Sequence, residues 1–484
     1  MLIEAITYGI KLVGENIVSK TVVDNIRYIY DTEGNMTKKI ITSANGNSFI
    51  YNYETSDGKT VVKFDAVNDK VSSHSKTDNF GRKSFDELQV GTGFISRQFE
   101  YVRGVITDEH INKGKLKSSP TTQLVSRILF SDGRSIEYEY DAEERITKVI
   151  DSIDGTTEYT YDALGQLLTE TVNGSVINSM TYDAYGNIRS KNGKTYTYNQ
   201  VWKDLLALID GDTISYDEQG NPTSYFGHTL TWEKGRQLKS FDNNTYTYNA
   251  NGIRTSKTVN GVKHEYTLDG TKIIRETWGE NVLVPIYDSE DSICGIIYNG
   301  TPHYFLKNLQ GDIISITNSN GKVEARYTYD AWGAIKGISG TDEGISIAVV
   351  NPFRYRSYYY DVEIGLYYLQ SRYFDASTGR FINFDESIYN GFGNKTISYN
   401  LASYCRNDCV NYLDYSGCMA VSVLRMLSTI YNNGIIDDSV LSSSVLALNG
   451  QGIYTAFHEI AQLNIAKKLK NKGFKNITLE YRII

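Results

Sequence analysis

The chain has 484 residues and a formal net charge of −8, with 39 Tyr and 41 Gly but only 5 Pro and 4 Cys. Average usage is about 5% Pro, so this low content excludes collagen-like and Pro-rich disordered chains. Four Cys are too few for a disulfide scaffold of this length. Because 40% of the residues are hydrophobic and 12% are aromatic, the chain can bury a large core.

Charge and hydropathy bear on whether the chain spans a membrane, carries a signal peptide or binds nucleic acid. No stretch reaches the roughly 18 apolar residues that a membrane span needs, so no span is predicted. Glu4 lies where a classical signal peptide has apolar or basic residues, so the chain is expected to be cytoplasmic before any export. The acidic balance argues against nucleic-acid binding by most of the chain. Residues 418–484 differ, because they carry seven Lys or Arg and four Asp or Glu.

A short motif repeats along the chain. The sequence Tyr-x-Tyr-Asp-x-x-Gly, here called the Tyr-Asp unit, occurs first at residues 28–34. Full or partial copies follow at residues 138–141, 159–165, 182–186, 196–199, 215–220, 231–235, 246–252 and 327–333. From Asp141 to residue 249, the Asp position recurs every 16 to 21 residues, which indicates one supersecondary unit used many times.

Each Tyr-Asp unit predicts a β-hairpin. The two Tyr rings fall on one face of a strand, the Asp accepts backbone hydrogen bonds that begin a turn, and the Gly supplies a positive φ. The return strands are predicted at Leu167–Val172 and Ile188–Lys191. Isolated hairpins are marginal in water, so neighbours must pair, and Tyr is expected beside Tyr. The predicted fold class is mainly β, a long antiparallel sheet that coils or closes on itself.

Residues 64–125 fit this pattern less well. The segment Asp78–Lys83 still predicts a turn between strands, and Asn112–Thr122 reads as an exposed loop. We expect this region to continue the same sheet irregularly.

The Tyr-Asp units resemble the YD repeats of the RHS (rearrangement hotspot) family. The stretches that resemble the RHS-repeat-associated core are Asn351–Asp361, Gly365–Asp375, Thr378–Asp385, Asn400–Tyr404 and Asn411–Gly417. The resemblance implies a hollow β-shell over residues 1–326, a core domain over 327–417 that plugs it, and a variable C-terminal region from 418 to 484. In that family the core often acts as a self-cleaving aspartyl protease that releases a C-terminal toxin into the cavity.

The same resemblance implies that Arg372, Asp385 and Asp414 are catalytic, with cleavage just after Gly417. Two carboxylates held close together share a proton and can perform acid–base chemistry on a peptide bond, and a neighbouring Arg would orient them. This sequence departs from the family pattern, because Glu386 and Tyr415 stand where Pro usually follows the two aspartates. An extra stretch, Ser387–Ile397, separates the aspartates. The alternative is that these carboxylates only cap turns, as the repeat aspartates do.

Other residues offer little chemistry. Cys405, Cys409 and Cys418 lie close in sequence, but no second ligand pair gives a zinc spacing, so buried reduced thiols are expected and neither a metal nor a cofactor is predicted. Arg354 and Arg356 lie among tyrosines, which favours cation–π packing over ligand binding. The tyrosines could stack on sugars, but core packing is the simpler interpretation.

The C-terminal region has a different pattern. Helices are predicted at Ala420–Tyr431, Ser439–Leu448 and Thr455–Lys472, followed by a strand at Asn476–Ile483. Glu459 on a helix and Glu480 on a strand resemble the opening of restriction-endonuclease-like toxin nucleases. The Asp and Glu-x-Lys that such an enzyme needs are absent, so this tail is interpreted as an incomplete toxin domain without nuclease activity. His458 and Glu459 do not form a zinc motif, since Gln462 stands where a second His is required.

The leading interpretation is the shell and core of a secreted RHS-type polymorphic toxin used in bacterial or host antagonism. Its expected partners are its own enclosed effector segment, an immunity protein and a secretion-apparatus component. One alternative is a non-enzymatic cell-surface adhesion protein that binds carbohydrate or a neighbouring cell. A decayed gene fragment is a third interpretation.

Overall fold

The structure is a computed structural model that describes most of the chain up to Asp414. The described residues are 4–13, 16–33, 36–43, 48–56, 59–66, 69–80, 82–90, 93–103, 121–288, 291–384, 400–414 and 421–422. The predicted tail helices, the predicted strand Asn476–Ile483 and the residues His458, Glu459 and Glu480 lie outside them. Most of the predicted loop Asn112–Thr122 also lies outside, except that Thr121 and Thr122 belong to a strand.

Thirty-one strands form one large sheet within the described residues. The first ten are β1 (Glu4–Val13), β2 (Asn16–Tyr30), β3 (Met36–Ser43), β4 (Ser48–Ser56), β5 (Lys59–Ala66), β6 (Asp69–Thr77), β7 (Lys83–Val90), β8 (Gly93–Arg103), β9 (Thr121–Phe130) and β10 (Ser135–Tyr140). The next eleven are β11 (Ile146–Asp151), β12 (Gly155–Tyr161), β13 (Leu167–Val172), β14 (Ser175–Tyr182), β15 (Ile188–Lys191), β16 (Lys194–Tyr198), β17 (Leu206–Ile209), β18 (Asp212–Tyr216), β19 (Pro222–Tyr225), β20 (His228–Glu233) and β21 (Gln237–Phe241). The last ten are β22 (Asn244–Tyr248), β23 (Arg254–Val259), β24 (Val262–Asp269), β25 (Lys272–Trp278), β26 (Asn281–Tyr287), β27 (Ile293–Tyr298), β28 (Thr301–Lys307), β29 (Ile313–Thr317), β30 (Val323–Tyr329) and β31 (Ile335–Gly340).

Each strand pairs antiparallel with its neighbours in sequence, so the sheet is one continuous meander. The sheet coils back on itself, because side chains join strands that are far apart in this order. Arg97 on β8 donates from Nη1 to the carbonyl of Lys307 on β28 at 3.0 Å. In a flat sheet these two strands would be about 95 Å apart, at roughly 4.8 Å per strand. The predicted coiled antiparallel sheet, here called the coil, is therefore confirmed, and its two end strands are not paired with each other in the described part.

The turns that follow the Tyr-Asp units have the predicted chemistry. Asp162 Oδ1 accepts hydrogen bonds from the backbone N–H groups of Leu164 at 2.8 Å and Gln166 at 2.9 Å, and Gly165 has a φ of 88°. The same pair of bonds forms at seven other positions: Asp78, Asp141, Asp183, Asp217, Asn249, Asn318 and Asp330. We call these the Asp turns; seven of them lie at one edge of the meander, and the turn at Asn318, between β29 and β30, lies at the opposite edge.

The second aromatic residue of each unit ties its hairpin to the preceding one. The Tyr182 hydroxyl donates to the carbonyl of Leu167 at 2.5 Å, and the indole N–H of Trp232 donates to Pro222 at 2.7 Å. Equivalent bonds are made by Tyr140, Tyr161, Tyr198, Tyr216, Tyr248, Tyr287 and Tyr329. The repeated link between units is thus this hydrogen bond rather than the expected stacking of Tyr beside Tyr, because a largely buried hydroxyl needs an acceptor.

Two-residue turns occupy the opposite edge of the meander and make a second set of links. In the turn Asn173–Gly174 both residues have positive φ, 48° and 80°, as tight hairpin turns require. Asn173 Oδ1 also accepts a hydrogen bond from the backbone N–H of Thr156 in the preceding hairpin at 2.8 Å. Both edges of the coil are therefore fastened unit by unit.

After the coil the chain enters a compact segment, residues 351–384 and 400–414, here called the core segment. A helix, α1 (Asp342–Val350), precedes it, capped by Thr341 Oγ1. Short strands follow: β32 (Tyr359–Asp361), β33 (Leu366–Tyr368), β34 (Tyr373–Asp375), β35 (Arg380–Phe381) and β36 (Tyr412–Leu413), with β37 (Val421–Ser422) pairing β36. The domain boundary predicted at 327 falls within β30, whose hairpin continues the large sheet to Gly340. The division into three domains stays a prediction.

The core segment lies inside the coil. Its Asn411 Oδ1 accepts from the Ile146 N–H on β11 at 2.8 Å, and its Ala376 carbonyl accepts from Lys191 Nζ on β15 at 2.8 Å. On the far side, the Tyr359 hydroxyl donates to Glu276 on β25 at 2.9 Å. Because one segment touches strands from β11 to β25, the sheet must surround it. The buried Tyr faces of the units and the core segment form one continuous hydrophobic cluster.

Candidate active site

Arg372 and Asp414, two of the three predicted catalytic residues, are in direct contact. Arg372 Nη2 donates to Asp414 Oδ2 at 3.1 Å, and both side chains are buried, at 5% and 2% exposure. Arg372 lies in the turn between β33 and β34, and Asp414 follows β36 directly. Residues 42 positions apart are thus brought together by the folding of the core segment.

The guanidinium of Arg372 is held in place by two further contacts. Its Nη1 donates to the carbonyl of Leu401 at 2.8 Å, and its Cζ lies 3.5 Å from the centre of the Phe381 ring. A planar cation stacked on an aromatic face and bonded at both nitrogens has little freedom to turn. Arg372 is therefore able to orient a carboxylate in the way the prediction requires.

Two tyrosines position the backbone of Asp414. The backbone N–H of Asp414 donates to the Tyr358 hydroxyl at 2.9 Å, and the hydroxyls of Tyr358 and Tyr404 are 3.1 Å apart. Burial raises the pKa of both phenols well above the ordinary value, so they stay protonated. Sequence reasoning did not single out these residues, although both lie in stretches that resemble the RHS core.

Asp385, the third predicted residue, lies outside the described residues, as do Glu386, the stretch Ser387–Ile397 and the junction at Gly417. The described chain before it ends at Phe384, a buried residue whose ring stacks on Trp202 at 4.9 Å. The Phe384 carbonyl accepts a hydrogen bond from Arg236 Nη1. Proton sharing requires a second carboxylate, so the pairing of Asp385 with Asp414 stays a prediction.

A second buried ionic cluster joins the core segment to the coil. Asp361 is fully buried and accepts from Arg254 Nη1 at 2.6 Å and Nη2 at 3.0 Å, and from Lys257 Nζ at 2.9 Å. Burial alone would raise the pKa of Asp361, but the two cations outweigh that effect and lower it. Since Arg254 and Lys257 belong to β23, this cluster anchors the core segment to the large sheet of the coil, which is called the wall of the coil below.

The remaining sequence predictions have definite outcomes in the described residues. Cys405 and Cys409 are free and buried, as is Cys294, and burial raises their thiol pKa values; Cys418 lies outside. Arg354 stacks on Tyr360 at 4.8 Å and Arg356 on Tyr355 at 4.7 Å, which confirms cation–π packing.

No group of three or more His, Cys, Asp or Glu in the described part of the chain could hold a metal ion. No helix there is long and apolar enough to cross a bilayer.

Comparison with known proteins identifies the fold. A sequence model of the teneurin YD-shell family matches residues 119–201 and 271–409, which include five of the eight Asp turns and most of the core segment. The described part of this chain is therefore similar to a YD shell, and it is called the YD shell below. The matched residues contain Arg372, whereas Asp414 lies just beyond them.

Curated relatives and solved structures agree with this assignment. The tRNA3(Ser)-specific nuclease WapA of Bacillus spizizenii is 33% identical over 240 residues, covering 47% of this chain and 10% of that protein. The tRNA nuclease WapA of Bacillus subtilis is 34% identical over 240 residues, which again cover 47% of this chain and 10% of that protein. This chain thus spans about a tenth of the curated relatives that it matches.

The YD shell is also similar to solved toxin structures. A TcdB2–TccC3 crystal structure without its hypervariable C-terminal region aligns with a TM-score of 0.57 at 16% identity, covering 85% of this chain and 21% of that chain. The Photorhabdus luminescens Tc holotoxin pore aligns with a TM-score of 0.56 at 16% identity, covering 88% of this chain and 21% of that one. At this identity the similarity establishes the fold.

Proposed function

We propose that this YD shell is part of an RHS-type polymorphic toxin and that it encloses the C-terminal segment of its own chain. The observation that carries the proposal is the core segment, which lies inside the coil and leads directly to Asp414 and the basic residues 418–484. The similarity to WapA nucleases and Tc toxin components supports it. An immunity protein and a secretion apparatus belong to the same proposal.

We further propose that the core segment cleaves its own chain after Gly417. Arg372 would orient Asp414, and Asp385 would share a proton with it, so that one carboxylate activates water while the other protonates the leaving amine. The buried Arg372–Asp414 contact and the Tyr358 hydroxyl that accepts the Asp414 N–H support this role.

Replacement of Asp414 by Asn tests cleavage. Purified wild-type protein is expected to show a small C-terminal fragment on a denaturing gel, and Asp414→Asn and Asp385→Asn are expected to abolish it. Asp217→Asn is the matched control, because Asn already occupies the equivalent position of other Asp turns, as at Asn249. Equal melting temperatures would show that the variants fold. An intact band in wild type, or the same fragment in all variants, would contradict self-cleavage.

The adhesion alternative is not favoured. It requires exposed tyrosines that stack on sugar, but many Tyr rings of the units lie in the cluster that joins the coil to the core segment. In the described strands of the coil, the second Tyr of a unit already donates its hydroxyl hydrogen to a backbone carbonyl, as Tyr161, Tyr182, Tyr216 and Tyr248 do. These rings therefore serve packing.

A further inference from the structure

A cavity of about 410 Å³ lies between the coil and the core segment. Its walls come from the turn between β19 and β20, from Phe241, from an Asp turn and from two turns of the core segment. The lining residues are Tyr225, Phe226, His228, Phe241, residues 333–335, Tyr360, residues 364–366 and residues 375–377. This volume is within the range of sites that bind small ligands or a few side chains.

Phe226 in this wall departs from a pattern that most of the tight turns at its edge of the meander share. At the first position of the corresponding turns the residue is Asn or Asp, with φ between 48° and 53°: Asn173, Asn192, Asp210, Asn260 and Asn299. Phe226 has the same left-handed conformation, with a φ of 49°. A bulky residue is a genuine outlier there, whereas Asn and Asp tolerate it.

Phe226 also gives up a hydrogen bond. At the equivalent positions, the Asn192 side chain accepts from the Ser179 N–H at 2.8 Å and Asp210 accepts from Thr195 at 2.7 Å. A phenyl ring cannot accept such a bond. A residue that is strained and also loses a link between hairpins points to a function for its side chain, and the ring of Phe226 lines the cavity.

The cavity wall favours an aromatic or apolar group beside a positive charge. The Tyr225 and Phe226 rings lie 4.5 Å apart, and the His228 and Phe241 rings lie 4.9 Å apart. Asp375 lies in the wall, and a second carboxylate, Asp242, contacts His228 Nδ1 at 2.7 Å. Among the lining residues there is no Lys or Arg.

A buried cation, Lys191, contacts one of the two core-segment turns that line the cavity. Lys191 donates from Nζ to the backbone carbonyls of Ala376 at 2.8 Å and Ser377 at 2.9 Å. Its Nζ is therefore occupied by these two carbonyls, and Lys191 is not among the lining residues.

We propose that this cavity binds Phe474 of the chain's own C-terminal segment, with the flanking Lys472 and Lys475 facing the carboxylates. This proposal rests on the proposed enclosure of that segment. The sequence Lys472-Gly473-Phe474-Lys475 places an aromatic ring between two cations within the net basic region. An extended chain gains about 3.3 Å per residue, so the 60 residues after Asp414 reach any point inside the coil.

Photocrosslinking of the full-length protein tests the site. With p-benzoylphenylalanine in place of Phe226, the crosslinked tryptic peptides are expected to contain Phe474, which lies between the trypsin sites Lys472 and Lys475. Phe474→Ala is expected to remove this product. The same reporter in place of Phe94, an exposed residue outside the cavity, is the control and should not capture those residues.

Limited trypsin digestion distinguishes binding of Phe474 in the cavity from enclosure of the C-terminal segment by the coil. Phe226→Asn should accelerate cleavage at Lys472 and Lys475 about tenfold without lowering the melting temperature, since Asn suits the turn; Phe80→Asn at an exposed turn is the control. If Arg425 stays protected but neither crosslinking nor cleavage responds, the cavity site is wrong and enclosure stands. If trypsin rapidly cleaves the wild-type protein after Arg425, Lys472 and Lys475, the C-terminal segment is not enclosed, and both the proposed enclosure and the proposed cavity site are wrong.

Discussion

The wall of the YD shell and its core segment are held by contacts of different range. In the wall, the Tyr182 hydroxyl bonds to Leu167, only 15 residues earlier, and the Asn173 side chain reaches Thr156, 17 residues earlier. In the core segment, Asp361 pairs with Arg254 across 107 residues. The first kind of bond recurs from repeat to repeat, whereas each contact of the second kind joins one particular pair of distant residues.

Contacts of these two kinds should differ in how much stability is lost when one of them is removed. Loss of one link in the wall removes one of many similar neutral hydrogen bonds. Loss of Asp361 leaves two buried cations without their shared carboxylate, which costs far more than a neutral bond. The wall is therefore expected to tolerate substitution, whereas the anchor of the core segment is expected to be sensitive.

The largest effect is expected for Asp361→Asn. This substitution keeps the shape of the side chain but removes the charge that Arg254 and Lys257 share, so the free energy of unfolding should fall by about 3–5 kcal/mol. Denaturant unfolding measures the change. The control is Glu265→Gln, which breaks the pair with Lys263 where both side chains are more than half exposed. Equal effects of the two variants would contradict the comparison between anchor and surface.

A smaller effect is expected from a change of pH, through the buried carboxyl groups of Glu170 and Asp408. Burial raises the pKa of Glu170, which accepts from the Ala331 N–H, to about 7 and that of Asp408 to about 7. Both pKa values are higher in the folded protein than in the unfolded chain. This contribution to stability is thus complete below the ordinary carboxyl pKa and is lost as pH rises through 7.

A rise from pH 5 to pH 8 should lower the free energy of unfolding by on the order of 2 kcal/mol for each of these two acids. Thermal or denaturant unfolding at several pH values measures the slope. Glu170→Gln, which keeps an acceptor for Ala331, should flatten it, and Asp408→Asn should flatten it further. An unchanged slope in the double variant would show that other groups set the pH dependence.

The sequence was sufficient to predict the wall because its contacts are local and repeated. The strands Leu167–Val172 and Ile188–Lys191 were predicted with the observed bounds, since Asp and Gly define the turn from within the unit. The hydrogen bond from each second aromatic was missed, because its acceptor is a backbone carbonyl that has no sequence signature. The Asn and Asp links across the tight turns were missed for the same reason.

The candidate site could be predicted only through family resemblance. No spacing rule brings Arg372 next to Asp414 or Arg254 next to Asp361, since each contact closes a long loop through the fold. Tyr358 and Tyr404 could have been found only as members of the same resembling stretches. Phe226, by contrast, was detectable in principle, because it precedes Gly where its counterparts are Asn or Asp.

The smallest effect is expected from a single link in the wall. Tyr182→Phe removes the hydroxyl that donates to the Leu167 carbonyl at 2.5 Å, which should lower the free energy of unfolding by about 1 kcal/mol. Tyr185→Phe is the control, because that ring is about half exposed at the tip of an Asp turn.

Amide hydrogen exchange distinguishes a local from a global effect of this substitution. Since each link joins only two neighbouring hairpins, Tyr182→Phe should speed exchange in β13 to β15 and leave β23 and the core segment unchanged. Faster exchange throughout the coil would mean that the wall unfolds as one cooperative body, and the contrast between a tolerant wall and a sensitive anchor would then be wrong.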